Sequence, residues 1–355
     1  MAKGTEPLSS LRICVLIPDF SDGGAQRQCI YLLNEWQKRN DISVTLITFG
    51  AGEHAAALRT DGLEWFQMKR GPWTLVKLAS VIRRQRIDVV MSWLHEMDNY
   101  AGLLKLLPGR RTWVLAERNA RYPKSRRIRA RLALGRRADL VIANSASGGK
   151  YWEPILGMQR VSVIPNIVRT PEVVDKALPP LVVSVGRLVP QKNPMVVAQA
   201  MCLASHSKSD AQYAIIGAGP LAAAVAEELS RSERSPSVDL LGFRSDAADI
   251  IARAQVMVSM SRREGQPNVL LEAVMSDCVP VVSRIDEHVE VLGGAYPYYV
   301  DVDAQPAAVA EAICAALEES KPRDVLAYAR GKLSERTAPQ ISDDYVSAFR
   351  RLNRI

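Results

Sequence analysis

The sequence predicts an α/β protein made of two Rossmann-like domains. Three observations predict it. Short, apolar, β-branched runs recur along the chain with helix-spaced stretches between them, which is how βαβ units and a parallel sheet are written. Several of these runs end in a glycine-containing turn that opens a helix. The chain has 355 residues, enough for two domains of ordinary size, and a proline-punctuated stretch from Pro165 to Pro180 reads as the linker between them.

The first domain opens with Leu11-Arg-Ile-Cys-Val-Leu-Ile17, a buried-strand pattern, followed by Pro18-Asp-Phe-Ser-Asp-Gly23-Gly24 and a helix from about Ala25 to Arg39. A glycine turn between strand and helix lets backbone approach a phosphate closely, although Gly-Gly also serves as a plain tight connection. Residues 42–49 and 62–68 read as strands, 73–84 as a basic helix, and Ile87-Asp-Val-Val-Met-Ser-Trp93 as another strand. His95 follows that strand, ahead of a helix expected from about Tyr100 to Leu107. It therefore stands at a strand's C-terminal end, where open α/β sheets bind ligands; the alternative is a satisfied structural histidine.

Thr112 to Glu117 is the next strand, and Arg118 and Asn119 leave it. Then come Arg121, Lys124, Arg126, Arg127, Arg129, Arg131, Arg136 and Arg137 with no acidic residue among them. Ile128, Leu132 and Leu134 supply an apolar component, so the stretch reads as a basic amphipathic helix. One reading is a solvated helix face. The other is docking to anionic headgroups through Arg126, Arg127, Arg129 and Arg131, with Ile128 and Leu132 dipping in. Strands at 139–143 and 161–164 complete the domain.

The second domain opens with Leu181-Val-Val-Ser-Val185, then Gly186-Arg187-Leu-Val-Pro-Gln-Lys192 and a helix. Arg187 and Lys192 put two cations at a helix start, an arrangement that suits a diphosphate and the charge it gains as a leaving group. Tyr213 to Gly217 is a strand, and Gly217-Ala-Gly219 lacks the third glycine of a nicotinamide fingerprint. Gln255 to Ser259 and Val279 to Val282 are strands with a helix from about Pro267 to Ser276 between them. The intervening Glu264-Gly-Gln-Pro-Asn-Val269 offers free backbone N–H groups at a helix start. Glu272 interrupts the apolar run Val269 to Met275; it suits hydroxyl groups of a ligand or, equally, an ordinary solvated helix face.

Composition narrows the class. Hydrophobic residues make up 48% and charged residues 24%, as in a folded globular protein. No apolar run spans a bilayer and the first residues lack a signal-peptide core, so a cytoplasmic protein is expected. Cys14, Cys29, Cys202, Cys278 and Cys314 are odd in number and dispersed, which fits reduced cysteines and neither a disulfide frame nor a zinc site. The net charge of +8 calls for an anionic partner. Sparse aromatics and the lack of a nucleic-acid motif favour phosphorylated ligands or a membrane surface over nucleic acid.

Glu264 and Glu272, with seven residues between them and followed by Pro280-Val-Val282, resemble the donor segment of retaining GT-B glycosyltransferases of family 4. Val185-Gly-Arg-Leu-x-Pro-x-Lys192 resembles the family's diphosphate motif, and Ala116-Glu-Arg-Asn119 resembles its branch for surface polysaccharides and lipid-linked oligosaccharides. The resemblance implies two domains facing across a cleft: residues 1–170 on the acceptor side, with 340–355 crossing back onto them, and 178–335 holding the nucleotide sugar. It implies that Arg187 and Lys192 meet the diphosphate, Glu264 the transferred sugar, Glu272 the ribose, and the N–H groups from Gly265 through Gln266, Pro267, Asn268 and Val269 sugar and phosphate. Gly23, Gly24, Gly186, Gly217, Phe243 and Arg244 join the donor site by the same likeness. His95 matches a cleft histidine, with Trp93 the rival for that position.

The activity so implied is hexosyl transfer without metal or cofactor, from a UDP-sugar first and a GDP-sugar second. The acceptor is a lipid-diphosphate-linked glycan, reached by peripheral association with the inner face of the membrane, where Arg118, Asn119 and the four helix arginines would lie. Two departures bear on the donor sugar: Cys278 replaces a glycine, and Arg284 to Glu290 replaces a glycine-rich turn. The alternatives are a nucleotide-sugar 2-epimerase of the same architecture and a catalytically silent nucleotide-sugar-binding partner.

Overall fold

The computed structural model describes residues 10–21, 23–109, 111–119, 122, 125–169, 174–231 and 238–353. Arg121, Lys124 and Pro171, as well as the first nine residues, lie outside that set. The chain divides into two compact units, Met1–Ile167 with Arg336–Ile355, and Val168–Glu335.

Unit 1 runs β1 (Leu11–Leu16), α1 (Gly24–Trp36), β2 (Ile42–Thr48), β3 (Glu64–Gln67), α2 (Thr74–Arg84), β4 (Val89–Trp93) and α3 (His95–Leu104). It continues with β5 (Thr112–Glu117), α4 (Arg126–Gly135), β6 (Leu140–Ala143), α5 (Ala146–Leu156) and β7 (Val161–Val163). The strands form one parallel sheet in the order β3-β2-β1-β4-β5-β6-β7. Each face is sealed by its own apolar cluster, which explains why these strands read as unbroken apolar runs. One cluster gathers α2, α3 and α5 through Leu78, Ile82, Met97, Leu104 and Trp152. The other holds α1.

Unit 2 runs β8 (Leu181–Val185), α6 (Pro194–Ser207), β9 (Gln212–Ile216), α7 (Ala222–Arg231), β10 (Val238–Gly242) and α8 (Ala247–Arg253). It continues with β11 (Val256–Ser259), α9 (Asn268–Met275), β12 (Val279–Ser283), α10 (Asp286–Leu292), β13 (Tyr299–Val300), α11 (Pro306–Leu317) and α12 (Pro322–Ser334). The order β10-β9-β8-β11-β12-β13 repeats the winding of unit 1, again all parallel.

The last helix, α13 (Ala338–Asn353), belongs to unit 1. Tyr345 and Phe349 meet the buried Trp36 of α1 edge-on at 6.0 and 5.9 Å. Arg350 pairs with Asp41 at 2.6 Å, and Arg39 bridges Asp41 and Asp343. Burial of those rings, about 1.5–3 kcal/mol each, makes the return of the chain favourable.

Two expectations change here. α3 begins at His95, five residues ahead of the expected Tyr100. Leu94 adopts φ 73°, a left-handed turn that lets the helix start immediately after the strand, which residue type alone does not signal. Pro267 stands at the cap of α9, one place before the helix.

Candidate functional site

In a doubly wound sheet, strand order reverses at one point, and the loops leaving the two strands there diverge to opposite faces and open a crevice. In unit 2 that point lies between β8 and β11. The loop after β8 carries Gly186, Arg187 and Lys192; the loop after β11 carries Glu264. Residues more than seventy positions apart in sequence are therefore neighbours.

The two loops are stitched together by backbone. Arg262 N–H donates to the Gln191 carbonyl at 2.8 Å, and the Gln191 side-chain amide donates to the Arg263 carbonyl at 2.8 Å. Lys192 Nζ consequently reaches Glu264 Oε1 at 2.5 Å. Glu264 is 7% exposed. Burial alone would raise its carboxyl, but the Lys192 charge and hydrogen bond, helped by Ser261, outweigh it and hold the group below the usual carboxylate range. The result is an ionised, oriented acceptor with Arg187 exposed nearby. A pocket lined by Val185, Gly186, Arg187, Lys192 and Ser259 sits at this strand end.

The glycines have a mechanical role. Gly217 adopts φ +146°, and a Cβ there would come within 1.8 Å of the Gly186 carbonyl oxygen. The turn after β9 thus lies against the turn after β8, tied by Leu188 N–H to the Ala218 carbonyl at 2.9 Å. Gly217 N–H in turn donates to Gly242 at 2.7 Å, so three strand-end turns stack on one another. Phe243 is exposed just beyond, and Arg244 is held by Asp246 at 2.6 Å. Glu272 sits half-buried on α9, and Gln266 and Pro267 are buried ahead of it, with Gly265, Asn268 and Val269 half-buried.

His288 is a site residue that sequence reasoning did not single out. It is 0% exposed on α10, and its Nδ1–H donates to the Ser283 carbonyl at 2.7 Å. Ser283 Oγ donates to the Ser261 carbonyl at 2.5 Å, so the imidazole braces the same loop that presents Glu264. Burial pushes it down to about 4, which keeps it neutral. Its only sequence signal was its place in the Arg284–Glu290 stretch that departs from a glycine turn.

In unit 1 the reversal lies between β1 and β4. Gly23 caps α1, and Gly24 opens it. His95 opens α3 with its ring 6.4 Å from Tyr122; it is exposed overall, but partial desolvation of the imidazole by its neighbours and the nearby Arg131 charge lower its pKa. Trp93 is buried, and its indole N–H donates to the Ala25 carbonyl at 2.9 Å, so it ties the two loops together. Arg118 stacks on Trp93 at 3.7 Å and donates from its two terminal nitrogens to Asn166 and to the Tyr345 hydroxyl of α13. Asn119 gives its backbone N–H to Glu117 at 2.9 Å.

The basic helix needs the largest correction. On α4, Arg126, Arg127 and Arg129 are exposed, but Arg131 is 1% exposed. Its Nε donates to Asp98 Oδ2 at 2.6 Å and its Nη2 to Glu117 Oε2 at 2.9 Å, both carboxylates fully buried. Glu117 also accepts from the Trp152 indole at 2.7 Å, from the Tyr122 hydroxyl and from the N–H groups of Arg118 and Asn119. Ile128 and Leu132 share this inward side, where Leu132 packs on the cluster of α3 and α5. The apolar edge of α4 is therefore core, and Arg131 is its buried counter-ion. A helical wheel gives this period but not its sign, because an arginine at a core position looks polar.

Both units are parallel and doubly wound, and the second carries a cation-bearing turn at its switch point. Residues 179–319 match the model for "Glycosyl transferases group 1", and residues 22–171 match that for "Glycosyltransferase Family 4". The chain belongs to this family and is a glycosyltransferase of GT-B fold.

Among solved structures, Anabaena HepE in complex with UDP-glucose aligns with a TM-score of 0.78 at 18% identity, covering 95% of this chain and 100% of its own. A variant of S. aureus TarM in complex with Fondaparinux, alpha-GlcNAc-glycerol and UDP aligns at 0.79 and 10% identity, covering 96% and 99%. The pneumococcal O-GlcNAc transferase GtfA in complex with UDP and GlcNAc aligns at 0.75 and 10% identity, covering 97% and 99%. No curated protein matches the sequence. Among the described residues, no helix is long and apolar enough to cross a membrane, and no group of three or more histidine, cysteine or carboxylate side chains is arranged to hold a metal ion.

Proposed function

We propose that the protein transfers a sugar from a UDP-sugar to a hydroxyl of a lipid-linked glycan with retention of configuration, in polysaccharide or glycolipid biosynthesis at the inner face of the membrane. The observation that carries the donor half is the Lys192–Glu264 contact beside Arg187 at the switch point of unit 2. One ion pair sets a cation for phosphate next to a carboxylate for sugar hydroxyls. The UDP bound in HepE, TarM and GtfA supports uridine as the base.

In this reading Arg187 and Lys192 neutralise charge on the departing diphosphate, as a metal would elsewhere. The bond from the anomeric carbon to the phosphate oxygen breaks as the acceptor oxygen attacks from the same face. The acceptor proton passes to a donor phosphate oxygen. Glu264 orients the sugar, Glu272 takes the ribose hydroxyls, and the N–H groups of Gly265 to Val269 meet sugar and phosphate. Gly23 and Gly24 give a phosphate-approach turn, and His95 stands on the acceptor-holding unit.

The test is nucleotide release from UDP-, GDP- and ADP-sugars, with and without lipid-diphosphate acceptors and with excess EDTA. Acceptor-stimulated UDP release that survives EDTA, with the product's anomeric coupling unchanged, is the expected result. Inversion, a metal requirement, or turnover of no nucleotide sugar refutes the reading.

A further inference from the structure

One of the two sequence readings put a membrane contact on α4, and the structure removes the apolar half of that contact. It reveals another. Trp73 is 69% exposed and Val76 57% exposed, at the cap and first turn of α2. Lys77, Arg83 and Arg84 of this helix are also exposed, while Leu78 and Ile82 face the core. Helical spacing sets Trp73, Val76, Lys77, Arg83 and Arg84 on one side.

The charge there is one-signed. Between Glu64 and Asp88 the chain has Lys69, Arg70, Lys77, Arg83, Arg84 and Arg86 and no acidic residue. Glu96, the nearest acidic group on the adjoining α3, is neutralised by Arg70 at 2.8 Å. Leu132 of α4 packs on the same side of the sheet as α2, and both helices follow strand C-terminal ends. The exposed Arg126, Arg127 and Arg129 at the start of α4 add cations on the same face of unit 1, with α3 packed between the two helices.

We infer that the outward side of α2, led by Trp73 and Val76 and flanked by Lys69, Lys77 and the first arginines of α4, docks unit 1 on an anionic lipid surface. An exposed indole beside an aliphatic residue suits the interfacial zone, where an amphipathic ring finds both hydrocarbon and water. The surrounding cations supply attraction that depends on lipid charge. Nucleic acid would match the charge but gives no reason for an aliphatic tip beside the indole. The inference rests on the lipid-linked acceptor proposed above and deepens it.

The experiment uses the full chain with vesicles of phosphatidylcholine, alone or with about one-third phosphatidylglycerol. The expected result is sedimentation with anionic vesicles at low salt, loss at high salt, and little binding to neutral ones. Of the six tryptophans only Trp73 is exposed, so its emission reports insertion directly. A blue shift and quenching by brominated lipid are expected in the wild type, reduced in Val76→Ser, which keeps the indole, and absent in Trp73→Phe, which removes the reporter. Trp73→Ser/Val76→Ser should weaken vesicle binding at least ~10-fold, from the lost burial of two apolar side chains, and Lys77→Glu should weaken it further. Acceptor-free UDP-sugar hydrolysis should be unchanged in all variants. If wild type ignores anionic vesicles, or binds them with unshifted tryptophan emission, or prefers RNA in competition, the inference fails. If nucleotide sugars are not turned over, the proposed function fails instead.

Discussion

Arg131→Ala discriminates a buried counter-ion from a surface cation. The side chain is 1% exposed between two fully buried carboxylates, with hydrogen bonds of 2.6 Å to Asp98 and 2.9 Å to Glu117. Its guanidinium also lies over the rings of Tyr122 and Trp152 at 4.5 and 5.2 Å. Removing it leaves both carboxylates uncompensated, a loss of about 3–5 kcal/mol. Arg129→Ala, two residues away and exposed, should stay within about 0.5 kcal/mol. For a unit of this size, each kcal/mol moves Tm by about 2–4 °C, so Arg131→Ala should lower the calorimetric transition of unit 1 by roughly 6–20 °C. The pH dependence has a definite sign. Burial pushes Asp98 up to about 6 against the pull of Arg131 and Ser92, so its contribution to stability is full at low pH and is lost as pH rises through about 6. Without Arg131 the folded-state value climbs further, and the deficit should be larger at pH 8 than at pH 5. Equal transitions for the two alanine variants at pH 8 would refute the buried triad.

Arg187→Ala and Lys192→Ala should each lower kcat ~100-fold or more, the effect of losing one preorganised charge contact, with folding retained; near-normal turnover in steady-state assays would move the diphosphate site elsewhere. If Glu272 holds the ribose, a 2′-deoxy UDP-sugar should bind about 10- to 100-fold more weakly by calorimetric titration. Glu272→Gln should narrow that gap, and equal affinity in the wild type would remove the role. His288 is held at about 4 by burial, below its unfolded value, so it contributes stability above pH 6.5 that is lost as pH falls toward 4, on the order of 3 kcal/mol. His288→Gln should show a shallower acid loss in urea titrations; an unchanged slope would mean the imidazole charges freely in the fold.

Sequence alone determined the α/β class and the strands between Leu11 and Val282 other than β10, whereas the return of the last helix was an expectation of the family resemblance. The strand readings rest on local physics. A strand covered on both faces must be apolar throughout, and the proposed phosphate loop is legible because Gly186, Arg187 and Lys192 put glycine, cations and a helix start within a few residues. Tertiary structure decided what depends on pairing across the chain. Lys192 meets Glu264 only because β8 and β11 are neighbours at the reversal of the sheet. Gly217 proved to be a close-approach residue against Gly186, a role no motif records. Arg131 and Arg129 are the same residue type two positions apart on one helix, and only the carboxylates of α3 and β5 make one of them core. Charge is written in sequence, but its partner is set by the fold.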